Sequence, residues 1–221
     1  MPIKITNSEF SYIPIPKVAC TSGKKLIFHI NNGFDFEETH YHSSGLNIHN
    51  HQNEYQSVDF LGYENNSKFK IALVRDPIKR LLSAYTNRVV QHNDLQSVRH
   101  KLTQVNLSDR PSIREFIVNL ETYRALSRSI AHHTDLQSVY LGPNNKNLSL
   151  YRLEDISAFT KRVNEIAGTN ISMPHEQTSK KVLNFNDMAP KIQRLALKYC
   201  LPDYDYLSEY YQLPNIKPLN A

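Results

Sequence analysis

The chain has 221 residues, 40% hydrophobic and 21% charged; that length suits one α/β domain spanning 1–221, and that composition suffices for a sizeable core. A formal charge of +5 suits an anionic cofactor or an acidic glycan and falls short of a nucleic-acid-binding signature. No stretch has the apolar length of a membrane span, Lys4 and Glu9 interrupt the N-terminus where a signal peptide needs an apolar core, and the two cysteines, Cys20 and Cys200, fit a reducing compartment, so the expectation is a cytoplasmic protein or a chain trimmed of a membrane anchor.

The segment 11–15 is β-branched and aromatic and runs into Pro14-Ile15-Pro16-Lys17, which predicts a strand ending in a loop. Leu26, Ile27 and Ile30 then recur at helical spacing, with Gly33 as the stop. Residues 34–67 are polar and rich in His and Asn, a long irregular stretch of the kind that carries function. The run 70–74 (KIALV) is continuously apolar, as in a buried parallel strand. Asp76 then caps a helix with Pro77 at its first position, and Ile78, Leu81, Leu82, Tyr85 and Val89 form one apolar face. Ser112 and Glu115 have the spacing of a capping box, ahead of Ile113, Phe116, Ile117 and Leu120. A strand over 148–153 precedes a helix with Ile156, Phe159, Val163 and Ile166, stopped by Gly168. A last helix carries Ile192, Leu195, Ala196 and Tyr199. Alternation of this kind predicts an α/β fold, a central parallel sheet flanked by helices.

Two segments carry chemistry. In Pro16-Lys17-Val18-Ala19-Cys20-Thr21-Ser22, a strand-to-helix turn brings together backbone amides, two hydroxyls and a lysine, the ingredients of an anion cradle. On the residues alone it is equally a helix start with Lys17 in solvent. The Walker pattern G-x-x-x-x-G-K-S/T is absent, and Gly23 is the nearby glycine. In Val74-Arg75-Asp76-Pro77-Ile78-Lys79-Arg80-Leu81-Leu82-Ser83-Ala84-Tyr85, a capped amphipathic helix accounts for Asp76, Pro77 and the leucines, but not for an arginine at the end of a buried strand. A guanidinium there is suited to fork-like phosphate binding.

Together, Pro-Lys-x-x-x-Thr-Ser and, about sixty residues on, Val-Arg-Asp-Pro-x-x-Arg-Leu-x-Ser-Ala-Tyr resemble the carbohydrate sulfotransferases that use 3′-phosphoadenosine 5′-phosphosulfate (PAPS). The resemblance implies a P-loop-kinase-like architecture and PAPS as co-substrate, with no metal required. It assigns the 5′-phosphosulfate to Lys17, Ala19, Cys20, Thr21 and Ser22, and the 3′-phosphate to Arg75 and Ser83. Pro-Lys-Val-Ala-Cys-Thr looks most like the chondroitin and related Golgi enzymes; their aromatic residue after the loop is replaced here by Gly23. His49-Asn50-His51 is similar to the acceptor-side histidine pair of the uronosyl 2-O-sulfotransferases. A neutral imidazole is a suitable base for the acceptor hydroxyl, so His51 or His49 is the expected base, with Glu54 the fallback. Residues 150–155 look like the family's later strand ending in a glutamate. His175-Glu176-Gln177-Thr178-Ser179-Lys180-Lys181 resembles its loop that closes over the cofactor, which adds Ser179 and Lys180 to the binding residues. His132 and His133 fall where related enzymes place acceptor-side residues.

The resulting expectation is a sulfotransferase acting on a carbohydrate or glycolipid hydroxyl, with no nucleic-acid partner. A nucleotide or small-molecule kinase on the same architecture is opposed by the missing Walker pattern. A non-catalytic glycan- or nucleotide-binding protein is opposed by the intact lysine, arginine, serine and histidines. A zinc-binding domain would use His40, His42, His49 and His51 as two His-x-His pairs.

Overall fold

The computed structural model describes residues 2–36, 48–49, 67–143, 146–174 and 183–216. The chain divides into two compact units, Met1–Val74 with Pro143–Gln177, and Arg75–Gly142 with Thr178–Ala221. The first carries the sheet and the second is helical. In chain order the elements are β1 (Ile3–Lys4), β2 (Phe10–Ile13), α1 (Cys20–Asn32), β3 (Phe69–Val74) and α2 (Pro77–Ala84). After a π-helical turn over Tyr85–Gln91 come α3 (Arg99–Gln104), α4 (Ile113–Val118), α5 (Leu120–Leu126), α6 (Arg128–Thr134) and α7 (Gln137–Leu141). The last are β4 (Leu148–Arg152), α8 (Ile156–Ala167) and α9 (Pro190–Tyr206).

The sheet order is β1-β2-β3-β4. β2, β3 and β4 are parallel, with Tyr12 opposite Ile71 and Leu73 opposite Tyr151, which gives the expected parallel core. The short β1 adds an antiparallel edge, with Ile3 opposite Tyr12. In β3, Ile71 to Val74 are all at most 1% exposed, which is why the run is apolar without alternation. Phe159 of α8 packs on Tyr12 at 5.6 Å and on Tyr151 at 6.1 Å between ring centres. α1 and α8 end on Gly33 (φ 80°) and Gly168 (φ 68°), left-handed caps that glycine takes without strain.

The helical unit packs α2, α4, α5 and α9 around Leu81, Leu82, Phe116, Leu120, Tyr123, Ala196 and Tyr204. Three sequence expectations change here. The face drawn through Tyr85 and Val89 is not one α-helix: α2 ends at Ala84, and the π-helical turn keeps Val89 inside while Val90 is half exposed. The capping box is half made. Ser112 accepts from the Glu115 N–H at 3.2 Å, but the Glu115 carboxylate turns to the Ser108 N–H and the Tyr123 hydroxyl, both at 3.0 Å. Leu195 lies on the outer side of α9, 36% exposed, while Ile192, Ala196 and Cys200 are buried.

Candidate functional site

β2 leaves the sheet at Ile13, and the chain turns through residues 14–19 into α1. The buried Val18 pins this turn, its N–H donating to the Ile15 carbonyl at 3.3 Å. On either side of it, Lys17 (φ 67°) and Ala19 (φ 49°) take left-handed conformations that non-glycine residues adopt at a cost.

The start of α1 has no side-chain cap and no acidic residue in its first turn. Its first intrahelical bond runs from the Gly23 N–H to the Ala19 carbonyl at 2.9 Å, so the N–H groups of Cys20, Thr21 and Ser22 have no acceptor within the helix. Three other helices begin differently. Asp76, Ser112 and Ser127 each accept a bond from the first turn they precede. A helix start of this kind presents its N–H groups and the positive end of the helix dipole together, which favours an anion.

Thr21 meets His49, with Oγ1 and Nε2 3.1 Å apart. The structure thus brings a histidine of the His-x-His motif to the loop expected to hold the 5′-phosphosulfate. His51, Glu54, Ser179 and Lys180 lie outside the described residues, as do His40 and His42 of the zinc alternative. Among the described residues no cluster of three or more His, Cys, Asp or Glu is arranged to hold a metal.

Two features of this loop went unread in the sequence. Gly23 lies against the buried ring of Tyr12 of β2. A Cβ on Gly23 would lie 2.7 Å from the Tyr12 ring carbon Cζ and closer still to its oxygen, so only glycine fits beneath that ring. The Tyr12 hydroxyl is fully buried with no hydrogen-bond partner among the described residues, and burial raises its pKa well above the usual value. Lys24, one turn beyond Cys20, is 9% exposed, and no carboxylate among the described residues pairs with it. Burial lowers its pKa, with Cys20 opposing.

In the helical unit, Arg75 follows the last paired residue of β3, where Val74 lies opposite Arg152. Gln137 at the start of α7 holds its backbone from both sides. The Arg75 N–H donates to Gln137 Oε1 at 3.0 Å, and Gln137 Nε2 donates to the Arg75 carbonyl at 2.8 Å. Asp76 accepts from the Lys79 N–H at 2.8 Å and from the Tyr204 hydroxyl at 2.9 Å. Ser83 is half-buried in the last turn of α2, about 10 Å along the axis from the Asp76 cap at 1.5 Å per residue.

Arg80, the second arginine of the motif, turns inward. It is 3% exposed, its Nη1 donates to the Asp135 carbonyl at 2.7 Å, and burial lowers its pKa against the attraction of Asp203. The two α6 histidines are tied locally: the Tyr140 hydroxyl donates to the His132 carbonyl at 2.6 Å, and His133 Nδ1 donates to the Ser129 carbonyl at 2.8 Å. Glu154, after β4, pairs with Arg152 at 3.9 Å.

Parallel strands that deliver a helix start without a side-chain cap at a carboxyl edge define an α/β protein, and in open α/β sheets that edge is where ligands bind. The sequence model of the sulfotransferase family matches residues 5–211, and the chain belongs to that family. It is a transferase of sulfuryl groups. No curated protein and no solved structure matches the chain.

Proposed function

We propose that the protein transfers the sulfuryl group of PAPS to a hydroxyl of a carbohydrate. One observation carries the reading: the loop before α1, with left-handed Lys17 and Ala19, three N–H groups free of intrahelical acceptors, and His49 against Thr21. Lys17, Ala19, Cys20, Thr21 and Ser22 take the 5′-phosphosulfate, and Arg75 and Ser83 take the 3′-phosphate. His51 or His49 accepts the proton of the acceptor hydroxyl, whose oxygen attacks sulfur. The bond from sulfur to the bridging oxygen breaks, its electron pair stays on the departing 5′-phosphate, and Lys17 offsets the charge that develops there. The loop amides are preorganised for that charge, which is where electrostatic catalysis gains most. Ser179 and Lys180 close over the nucleotide.

The test is incubation with sulfur-labelled PAPS and a panel of acidic and neutral glycans. The expected result is label in a glycan, with one adenosine 3′,5′-bisphosphate released per sulfate transferred. Failure to label any glycan, with label transferred to a non-sugar hydroxyl compound instead, would displace the carbohydrate reading. No transfer to any acceptor, with no preference for adenosine 3′,5′-bisphosphate over AMP, would displace PAPS as the donor.

A further inference from the structure

We infer that Gln137, anchored by Asp203, is the positioning residue that aims Arg75 and thereby sets the preference for a 3′-phosphorylated nucleotide; this rests on the reading of Arg75 given above. Arg75 sits at a join. The β3–β4 ladder ends one residue before it, and the cap of α2 begins one residue after it. The Gln137 carboxamide meets its backbone N–H and C=O, at 3.0 and 2.8 Å. A primary amide accepts and donates in one plane, so it pairs with a residue's backbone as an opposing strand residue would.

Gln137 is itself held. It is 0% exposed, and its own N–H donates to Asp203 Oδ2 at 2.8 Å. Asp203 Oδ1 accepts from the Ser138 N–H and the Ser138 hydroxyl, each at 2.9 Å. Asp203 is 2% exposed and stands on α9, so the chain of bonds runs from a core helix through α7 to the Arg75 backbone. Neither residue needs to touch the nucleotide. A guanidinium at the end of a long side chain magnifies any rotation at its Cα, and phosphate recognition tolerates about 0.5 Å and 10–20°. Fixing the Arg75 backbone is what makes a bidentate phosphate contact reproducible.

The experiment is calorimetric affinity for adenosine 3′,5′-bisphosphate and for AMP, in the wild type, Arg75→Ala, Gln137→Met and the double variant, below the melting temperature of each. The wild type should prefer the bisphosphate by roughly ten- to a hundredfold. Gln137→Met should lose most of that ratio with AMP affinity little changed, and should lower it no further once Arg75 is alanine. A role confined to folding would lower the melting temperature and leave the ratio alone. A wild-type ratio near one defeats the reading of Arg75 itself. A high wild-type ratio that survives Gln137→Met defeats the positioning role and leaves that reading standing. If Gln137→Met does not fold, Asp203→Asn carries the comparison, since it replaces one of the two accepting oxygens with a donor; an unchanged ratio there has the same meaning. A further readout needs no variant: the Arg75 amide should resist hydrogen exchange although it lies in neither strand nor helix, and fast exchange would overturn the clamp.

Discussion

Three groups around the α1 loop carry separate consequences. His49 bonds Thr21, and His51 is its partner in the His-x-His motif. Alanine at whichever is the base should cut transfer by about 10²–10⁴-fold with PAPS affinity intact, and the rate should fall in acid as an imidazole protonates. Near wild-type transfer in both variants would move the base to another group, Glu54 first. Tyr12 and Gly23 are locked by shape. Tyr12→Phe removes a buried hydroxyl that has no hydrogen-bond partner among the described residues, so the melting temperature should hold or rise, by up to about 2–4 °C for each kcal/mol recovered. Gly23→Ala should destabilise in either background, because the ring carbon as well as the oxygen blocks the new methyl. A harmless Gly23→Ala would refute that packing. Lys24 is the third. Below its lowered folded-state pKa the buried ammonium bears its full desolvation cost, so Lys24→Met should melt higher than the wild type at neutral pH. As pH rises through that pKa the folded wild type sheds the proton before the unfolded chain does, and the gap should narrow. Parallel melting curves for the two proteins from neutral to alkaline pH would show that Lys24 bears no such cost.

At the scale of elements, α2 depends on one carboxylate. Asp76 both caps its first turn and holds the Tyr204 hydroxyl of α9. Asp76→Ala should therefore cost more than an ordinary cap, about 2–3 kcal/mol by denaturant unfolding, whereas Tyr204→Phe should cost about 1 kcal/mol. Equal losses would mean the two bonds are not independent. The sequence made α2 legible because Asp, Pro and an apolar stripe agree on where it starts. It made β3 legible because four buried residues in a row leave no other reading. It hid the π-helical turn, since a shift in backbone bonding leaves the apolar spacing of Tyr85 and Val89 intact. α5, α6 and α7 are only five to seven residues long, held by contacts such as Arg124 to Asp135 at 2.9 Å and Tyr199 to the Thr134 carbonyl at 2.8 Å, which no local pattern announces. Gln137 and Asp203 were illegible for the same reason: 66 residues apart, they look in sequence like any surface glutamine and aspartate. Lys24 hid behind Lys25, because a lysine pair in a helix ordinarily reads as surface. The loop over residues 17–22, by contrast, is legible locally as either an anion cradle or a plain helix start, and its resemblance to a family motif favours the first.

The whole molecule is interleaved. The chain passes from the sheet unit to the helical unit after Val74, returns at Pro143 and crosses again at Thr178. A chain ending at residue 177 would lack α9, and with it the partners of Asp76, Gln137, Ser138 and the α2 core face. Such a truncation should fail to give a cooperative melt, and a helical unit that unfolds cooperatively without α9 would contradict the packing described here. The same interleaving bears on synthesis. β3 pairs with β4 only after 74 further residues, Val74 to Leu148, have been made. At about 5–20 residues per second the open edge of β3, four buried apolar residues long, waits roughly 4–15 s for its partner. The mount of Arg75 is later still, because Asp203 emerges after both strands. The nascent chain thus carries its stickiest strand early and the residues that hold the Arg75 backbone late, which makes the interval between them the one in which a chaperone has most to protect.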